Sequence, residues 1–230
     1  MTRIKLCGLT RPCDIEWANA LMPDYIGFVF ARKSRRSVSP KTAGELHEKL
    51  SPAIQAVGVF VNEAPETVAA LLNDGVIDIA QLHGGEDEAY IQTLRAMTDK
   101  PLIKAFRIDG PADLEKARQS SADHILLDHG AGGTGSAFDW TILKGFDRPC
   151  FLAGGLGPEN VAQAVKALRP FAVDVSSGIE TDGVKDHMKM RAFVEAVRHA
   201  SITPPVSCAD SPLGEGAKAS LFEGGGTAKP

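Results

Sequence analysis

At 230 residues, with 43% hydrophobic and 23% charged residues, the chain is long enough to bury one large core and has the composition of an ordinary soluble globular domain. A net charge of −4 argues against a nucleic-acid partner, and the only basic cluster, Arg32-Lys33-Ser34-Arg35-Arg36, suits one small anion rather than a polyanion. No apolar run approaches a membrane span and no signal core opens the chain, so no membrane association and a cytoplasmic location are expected.

Strand-like apolar runs alternate with segments of helical period. The strands are read at Arg3–Leu6, Tyr25–Phe30, Ala53–Val61, Ile77–Leu82, Leu102–Arg107, His124–Asp128, Cys150–Ala153 and Ala172–Val175. Several are apolar almost throughout, as in a parallel sheet covered on both faces. The helices are read at Pro12–Leu21, Pro40–Leu50, Pro65–Asn73, Asp87–Met97, Pro111–Gln119, weakly near Trp140–Leu143, then Pro158–Leu168 and His187–His199. Proline stands at or near the start of several, where its missing N–H costs nothing. Eight strand–helix units in strict alternation predict an α/β fold, a single (β/α)8 TIM barrel over residues 1–200. A doubly wound open sheet is the alternative. From Ser201 the chain turns rich in glycine and proline and loses periodicity, which predicts a flexible low-complexity tail over 201–230.

In such a barrel the chemistry sits at the C-terminal ends of the strands. Those ends carry Cys7, the Arg32–Arg36 loop, Asn62, Gln81-Leu82-His83-Gly84, Arg107, Asp128, Gly154-Gly155, and Asp174 with Ser176-Ser177-Gly178. Gly154, Gly155, Ser176, Ser177 and Gly178 form two small-residue loops that let backbone N–H groups approach an anion. After strands seven and eight such loops make a phosphate cup, to which a short following helix would add its dipole. His83 either touches substrate or hydrogen-bonds a loop. His47, His124, His129, His187 and His199 show no ligand spacing.

Four cysteines, Cys7, Cys13, Cys150 and Cys208, show no metal-ligand spacing and read as free thiols in a reducing compartment, so no metal is expected. Cys13 and Cys150 are expected in the core and Cys208 in the tail. Lys5, two residues before Cys7, faces the same way and would favour its thiolate or fill the barrel centre with its stem. Gly130-Ala131-Gly132-Gly133-Thr134-Gly135 matches a dinucleotide fingerprint, but no convincing helix follows it, and a mobile loop over the site is expected instead.

Lys5-Leu6-Cys7-Gly8-Leu9-Thr10 resembles the opening motif of the phosphoribosylanthranilate isomerases of tryptophan biosynthesis. The likeness continues through Gly27-Phe28-Val29-Phe30, Ser34-Arg35-Arg36, Gly58-Val59-Phe60-Val61-Asn62, Gln81-Leu82-His83-Gly84 and Leu127-Asp128. Gly132-Gly133-Thr134-Gly135 with Phe138-Asp139-Trp140, Leu152-Ala153-Gly154-Gly155-Leu156 and Val173-Asp174-Val175-Ser176-Ser177-Gly178-Ile179-Glu180 complete it. The resemblance implies an aldose–ketose isomerase that converts N-(5-phosphoribosyl)anthranilate to 1-(2-carboxyphenylamino)-1-deoxyribulose 5-phosphate. It implies no cofactor, because the substrate's own amine becomes an iminium electron sink. It further implies Asp128 as general acid, Cys7 as general base, Arg36 or its neighbour Arg35 on the anthranilate carboxylate, and Asp174 on substrate hydroxyls or amine. A free thiol near ~8.5 and a free aspartate near ~3.9 must each shift toward neutrality for those roles. The expected partner is a small phosphoribosyl substrate. A monomer is expected, with a homodimer as the alternative. Another phosphosugar isomerase, or a catalytically silent phosphosugar-binding barrel, are the competing functions.

Overall fold

In the computed structural model, which describes residues 1–128, 143 and 145–202, eight parallel strands close into one barrel. They are β1 (Arg3–Cys7), β2 (Tyr25–Val29), β3 (Gln55–Phe60), β4 (Ile79–Leu82), β5 (Leu102–Arg107), β6 (His124–Asp128), β7 (Cys150–Ala153) and β8 (Ala172–Val175). Each pairs with its neighbours in chain order, and β8 closes on β1 through Arg3–Ala172 to Leu6–Val175. The predicted (β/α)8 barrel is therefore the fold.

Among the described residues seven helices surround it: α1 (Pro12–Leu21), α2 (Pro40–His47), α3 (Pro65–Asn73), α4 (Glu88–Arg95), α5 (Pro111–Gln119), α6 (Val161–Leu168) and α7 (His187–Ile202). Local chemistry fixes their starts. The Ser39 side chain accepts from the Thr42 N–H ahead of α2, and Asp87 accepts from the Tyr90 N–H ahead of α4. Pro12, Pro40, Pro65 and Pro111 occupy the first turn of their helices. The segment expected as a helix near Trp140–Leu143 lies outside the described residues save Leu143, as do 203–230. Ser201 and Ile202, expected in the tail, still belong to α7.

Some predicted ends move because an apolar pattern records burial, not hydrogen bonding. Ile54 and Ile77 are buried to 2% and 0% exposure, yet each precedes its strand as a plug in the connecting turn. Leu50 is buried three residues beyond the end of α2. Pro158 does not open α6, because the Asn160 side chain accepts from Gly157 N–H and donates to the Gly155 carbonyl, which holds a turn until Val161.

Two apolar layers result. Leu6, Phe28, Phe60 and Phe193 are fully buried between strands and helices, and each such side chain contributes roughly 1.5–3 kcal/mol of burial. A second cluster of strand residues, Tyr25, Val57, Ile79, Ile103, Leu126, Phe151 and Ala172 among them, fills the barrel interior. Since side chains alternate along a strand, the residues two further on face inward one layer higher. Those residues are Gln81 after Ile79, Asp128 after Leu126 and Asp174 after Ala172. The site is the barrel's next inward layer. No described helix is long and apolar enough to cross a membrane.

Candidate active site

At the C-terminal mouth Cys7, Arg36, His83, Asp128, Asp174 and the loops Gly154-Gly155 and Ser176-Ser177 line one cavity of about 400 Å³, a size small-molecule ligands use. Nine of the ten residues expected there meet in it. The tenth, Gly178, stands just behind the wall. A depression of about 480 Å³ at the opposite end of the barrel, bordered by Arg3, Lys166 and Arg169, holds no comparable acid–base pair.

Cys7 ends β1 directly across from Gly27 of β2, where an added Cβ would stand 2.7 Å from its Sγ. The missing side chain at 27 is what leaves room for the thiol. Burial pushes the thiol's pKa above its ordinary value; Lys5 and Lys185 pull it down, and Asp174 pushes it further up. Lys5 favours the thiolate as expected, but burial outweighs it and the net shift is upward. Lys5 serves another partner as well. Its Nζ donates to Asp174 Oδ1 at 2.9 Å, across the β1–β8 register pair. Burial would strip the proton from this fully enclosed amine, but the Asp174 carboxylate and Cys7 more than offset it and raise its pKa.

His83 faces the cavity, and its ring is hydrogen-bonded to two strand side chains rather than to a loop. Its Nε2 lies 3.2 Å from Asp128 Oδ2 and its Nδ1 lies 2.6 Å from Gln81 Nε2. The Gln81 amide and the Asp128 carboxylate thus hold the imidazole from its two nitrogens. Gln81 is 1% exposed, and its Oε1 has no hydrogen-bond partner among the described residues. Its amide orients the imidazole beside Asp128, a role that its place in a quoted motif did not reveal.

Below the mouth the Glu86 carboxylate accepts from Asn62 N–H, Gly84 N–H and Lys104 Nζ, at 2.7 to 2.9 Å. Burial would raise its pKa, but these donors hold it below the usual carboxylate range. It staples the loops after β3 and β4 and so fixes where His83 begins.

Placement separates Arg35 from Arg36. Arg36 lines the cavity; Arg35 does not, and its side chain is 61% exposed. Both guanidiniums meet Glu180, which sequence reasoning left without a role. Arg36 Nε and Nη2 donate to its two oxygens at 2.6 and 2.8 Å, Arg35 Nη2 donates at 2.7 Å, and Lys185 Nζ donates at 2.7 Å. Burial would raise the Glu180 carboxyl, yet Arg36 and Lys185 bring it down to about 2. Lys185 was missed too, since nothing marks it in the sequence.

Gly154 and Gly155 take left-handed φ values of +92° and +62°, which turn the β7 loop toward the cavity. Gly178 is required by contact: a Cβ there would overlap the Leu156 carbonyl oxygen and lie 2.9 Å from the Gly157 Cα. The short helix expected after β8 is a single 3-10 turn, Ser177–Ile179, followed by the hairpin β9 (Glu180–Thr181) and β10 (Val184–Lys185). A turn that short carries little dipole, so what the loop offers an anion is backbone N–H groups rather than a helix N-terminus.

The other candidates are structural. Cys13 and Cys150 are part-exposed rather than fully buried, and both are free. His124 stacks on Phe171, His187 on Trp17, His47 contacts the Gly75 and Val76 carbonyls, and His199 contacts the Glu195 carbonyl. Cys208, His129 and the glycine run 130–135 lie outside the described residues.

Over residues 4–196 the chain matches the family model described as N-(5'-phosphoribosyl)anthranilate (PRA) isomerase. The chain belongs to this family. It is 47% identical over 204 residues to the N-(5'-phosphoribosyl)anthranilate isomerase of Caldanaerobacter subterraneus subsp. tengcongensis, covering 86% of this chain and 98% of that relative. The crystal structure of the phosphoribosyl anthranilate isomerase from Thermus thermophilus superposes with a TM-score of 0.76 at 39% identity, covering 86% of this chain and 99% of the other. A phosphoribosyl anthranilate isomerase in complex with reduced 1-(o-carboxyphenylamino)-1-deoxyribulose 5-phosphate matches at 36% identity and a TM-score of 0.76, covering 86% of this chain and 100% of that one.

Proposed function

We infer that this chain catalyses the aldose–ketose isomerisation of N-(5'-phosphoribosyl)anthranilate in tryptophan biosynthesis, with Asp128 as acid and Cys7 as base. The observation that carries the reading is that Cys7, Asp128, Arg36 and the Gly154–Ser177 cup line one cavity. The cup takes the phosphate, and Arg36, with its bidentate fork, takes the anthranilate carboxylate. Substrate is thereby stretched across the mouth with its ribose over the acid and the base.

Asp128 gives its proton to the ribose ring oxygen as the C1–O bond breaks. The anilino nitrogen lone pair forms the C=N bond and leaves an iminium cation. Cys7, as thiolate, takes the proton from C2, and the C–H electron pair flows into the iminium to give an enolamine. Loss of the C2 hydroxyl proton and gain of a proton at C1 complete the ketose. The iminium charge favours a neighbouring anion, so it pulls toward thiolate against the burial that holds the resting thiol protonated. His83 shares the Asp128 oxygen and guides the carboxyl toward the ring, while Asp174, anchored by Lys5, presents its carboxylate to substrate hydroxyls.

Every group named comes from one chain, so a monomer suffices for turnover. Cys7 must stay a free thiol, which fits a reducing compartment such as the cytoplasm. The test follows loss of anthranilate-type fluorescence from substrate generated in situ, for wild type, Cys7→Ser and Asp128→Asn, with folding checked by circular dichroism. Turnover by wild type and loss by roughly 10²-fold or more in both folded variants is expected. Retention of activity in either would remove that residue from its role.

A further inference from the structure

We propose that Glu180 is the positioning residue for the substrate carboxylate: it grips one edge of Arg36 so that the other edge faces the ligand, and it ties that guanidinium to the phosphate cup. This deepens the reading that Arg36 binds the anthranilate carboxylate, and rests on it.

A guanidinium offers two two-pronged edges, Nε with Nη2, and Nη1 with Nη2. Glu180 occupies the first, with Nε at 2.6 Å and Nη2 at 2.8 Å. No described residue hydrogen-bonds Nη1, and Arg36 lines the cavity. The second edge is therefore presented to a ligand, in the geometry that suits a planar carboxylate.

Glu180 can hold this pose because it is itself fixed. It is 8% exposed and pairs with Lys185 across the β9–β10 hairpin. Lys185 Nζ donates to Glu180 Oε1 at 2.7 Å and to the Ser176 carbonyl at 2.8 Å, and Ser176 Oγ donates to the Cys7 carbonyl at 3.1 Å. One continuous set of hydrogen bonds thus joins the carboxylate-reading arginine, the cup loop and the strand end that carries the base. Without the Glu180 charge, Arg35, Arg36 and Lys185 would repel one another, and Arg36 would lose its anchored edge.

The test compares two ligands, reduced 1-(o-carboxyphenylamino)-1-deoxyribulose 5-phosphate and its counterpart lacking the ring carboxylate. Dissociation constants are measured by calorimetry on the full chain as wild type, Glu180→Gln, Glu180→Asp and Arg36→Met. Glu180→Gln should cut affinity for the carboxylate-bearing ligand about tenfold or more, the scale of a charge-assisted hydrogen bond, and change affinity for the other by a clearly smaller factor. A merely structural role would weaken both ligands equally, and that result would overturn the proposal. Should Glu180→Gln fail to fold, Glu180→Asp keeps the charge but retracts the grip by one methylene, and the same selective loss is expected of it. If Arg36→Met leaves the carboxylate preference intact, the reading of Arg36 falls. If Arg36→Met abolishes the preference while both Glu180 variants keep it, the reading stands and the Glu180 proposal falls.

Discussion

Lys5 offers the sharpest test of how the site is built. Its Nζ is 2.9 Å from Asp174 Oδ1, and the two side chains are 0% and 9% exposed. Lys5→Met keeps the stem volume and removes the charge, so Asp174 is left with an uncompensated carboxylate at the floor of the cavity. Breaking a buried pair in this way costs about 3–5 kcal/mol. Because Asp174 borders the cavity and keeps some access to water, the lower figure of about 3 kcal/mol is expected. In a domain of this size each kcal/mol moves the melting temperature by about 2–4 °C, so Tm should fall by roughly 6–12 °C. The same change also removes a cation that pulls the Cys7 thiol down, while Asp174 continues to push it up. The pH at which activity develops should therefore move upward. Urea unfolding followed by circular dichroism, and kcat/KM measured across pH, read the two effects separately. The double variant Lys5→Met/Asp174→Asn should recover much of the lost stability, since neither charge is then left alone. A Lys5→Met loss below about 1 kcal/mol, or a double variant whose loss equals the sum of the single losses, would show that the pair is not coupled as the geometry implies.

Cys7 sits above its ordinary thiol pKa through burial, so the thiolate fraction and with it kcat/KM should climb as pH rises beyond neutrality; a flat profile on that side would refute a titrating thiol base. Gly178→Ala forces a methyl group onto the Leu156 carbonyl and should cost about 1–3 kcal/mol of stability, together with weaker competitive inhibition by inorganic phosphate; unchanged inhibition would show that the cup tolerates the shift. Glu180 is held at about 2 against an ordinary 4.5. A lowered folded-state pKa gives stability that is present above the unfolded value and lost as pH falls through the folded one, here between about 4.5 and 2, amounting to as much as about 3 kcal/mol. Urea midpoints taken down that range should fall less steeply for Glu180→Gln, and parallel slopes would refute the assignment.

Much of the fold is written in local chemistry. The eight strands were legible because a parallel strand buried on both faces must be apolar nearly throughout, as Tyr25–Val29 and Ala172–Val175 are. The helix starts were legible because Pro12, Ser39-Pro40, Pro65 and Pro111 each act within one turn. Ends were less so, since burial of Leu50, Ile54 and Ile77 outruns the hydrogen-bond ladder that defines an element.

The site divides along the same line. Residues that end strands were findable, because the fold alone says which end carries the chemistry and Cys7, His83, Asp128 and Asp174 stand there. Their partners were not findable, because pairing at this mouth is long-range: Arg36 and Glu180 are 144 residues apart and Lys5 and Asp174 are 169 apart. Barrel closure, which sets β8 beside β1, decides those pairs. The consequence bears on the chemistry. Lys5 and Lys185 pull the Cys7 thiol down while Asp174 and burial push it up, so the poise of the base depends on how completely each lysine is committed to its own carboxylate. In the proposed reaction, a ligand that enters with two anionic groups and becomes an iminium cation would act on both commitments at once. On that proposal the thiolate is called up by the substrate's charges as much as by the strand that carries Cys7, which suits a thiol whose pKa burial raises.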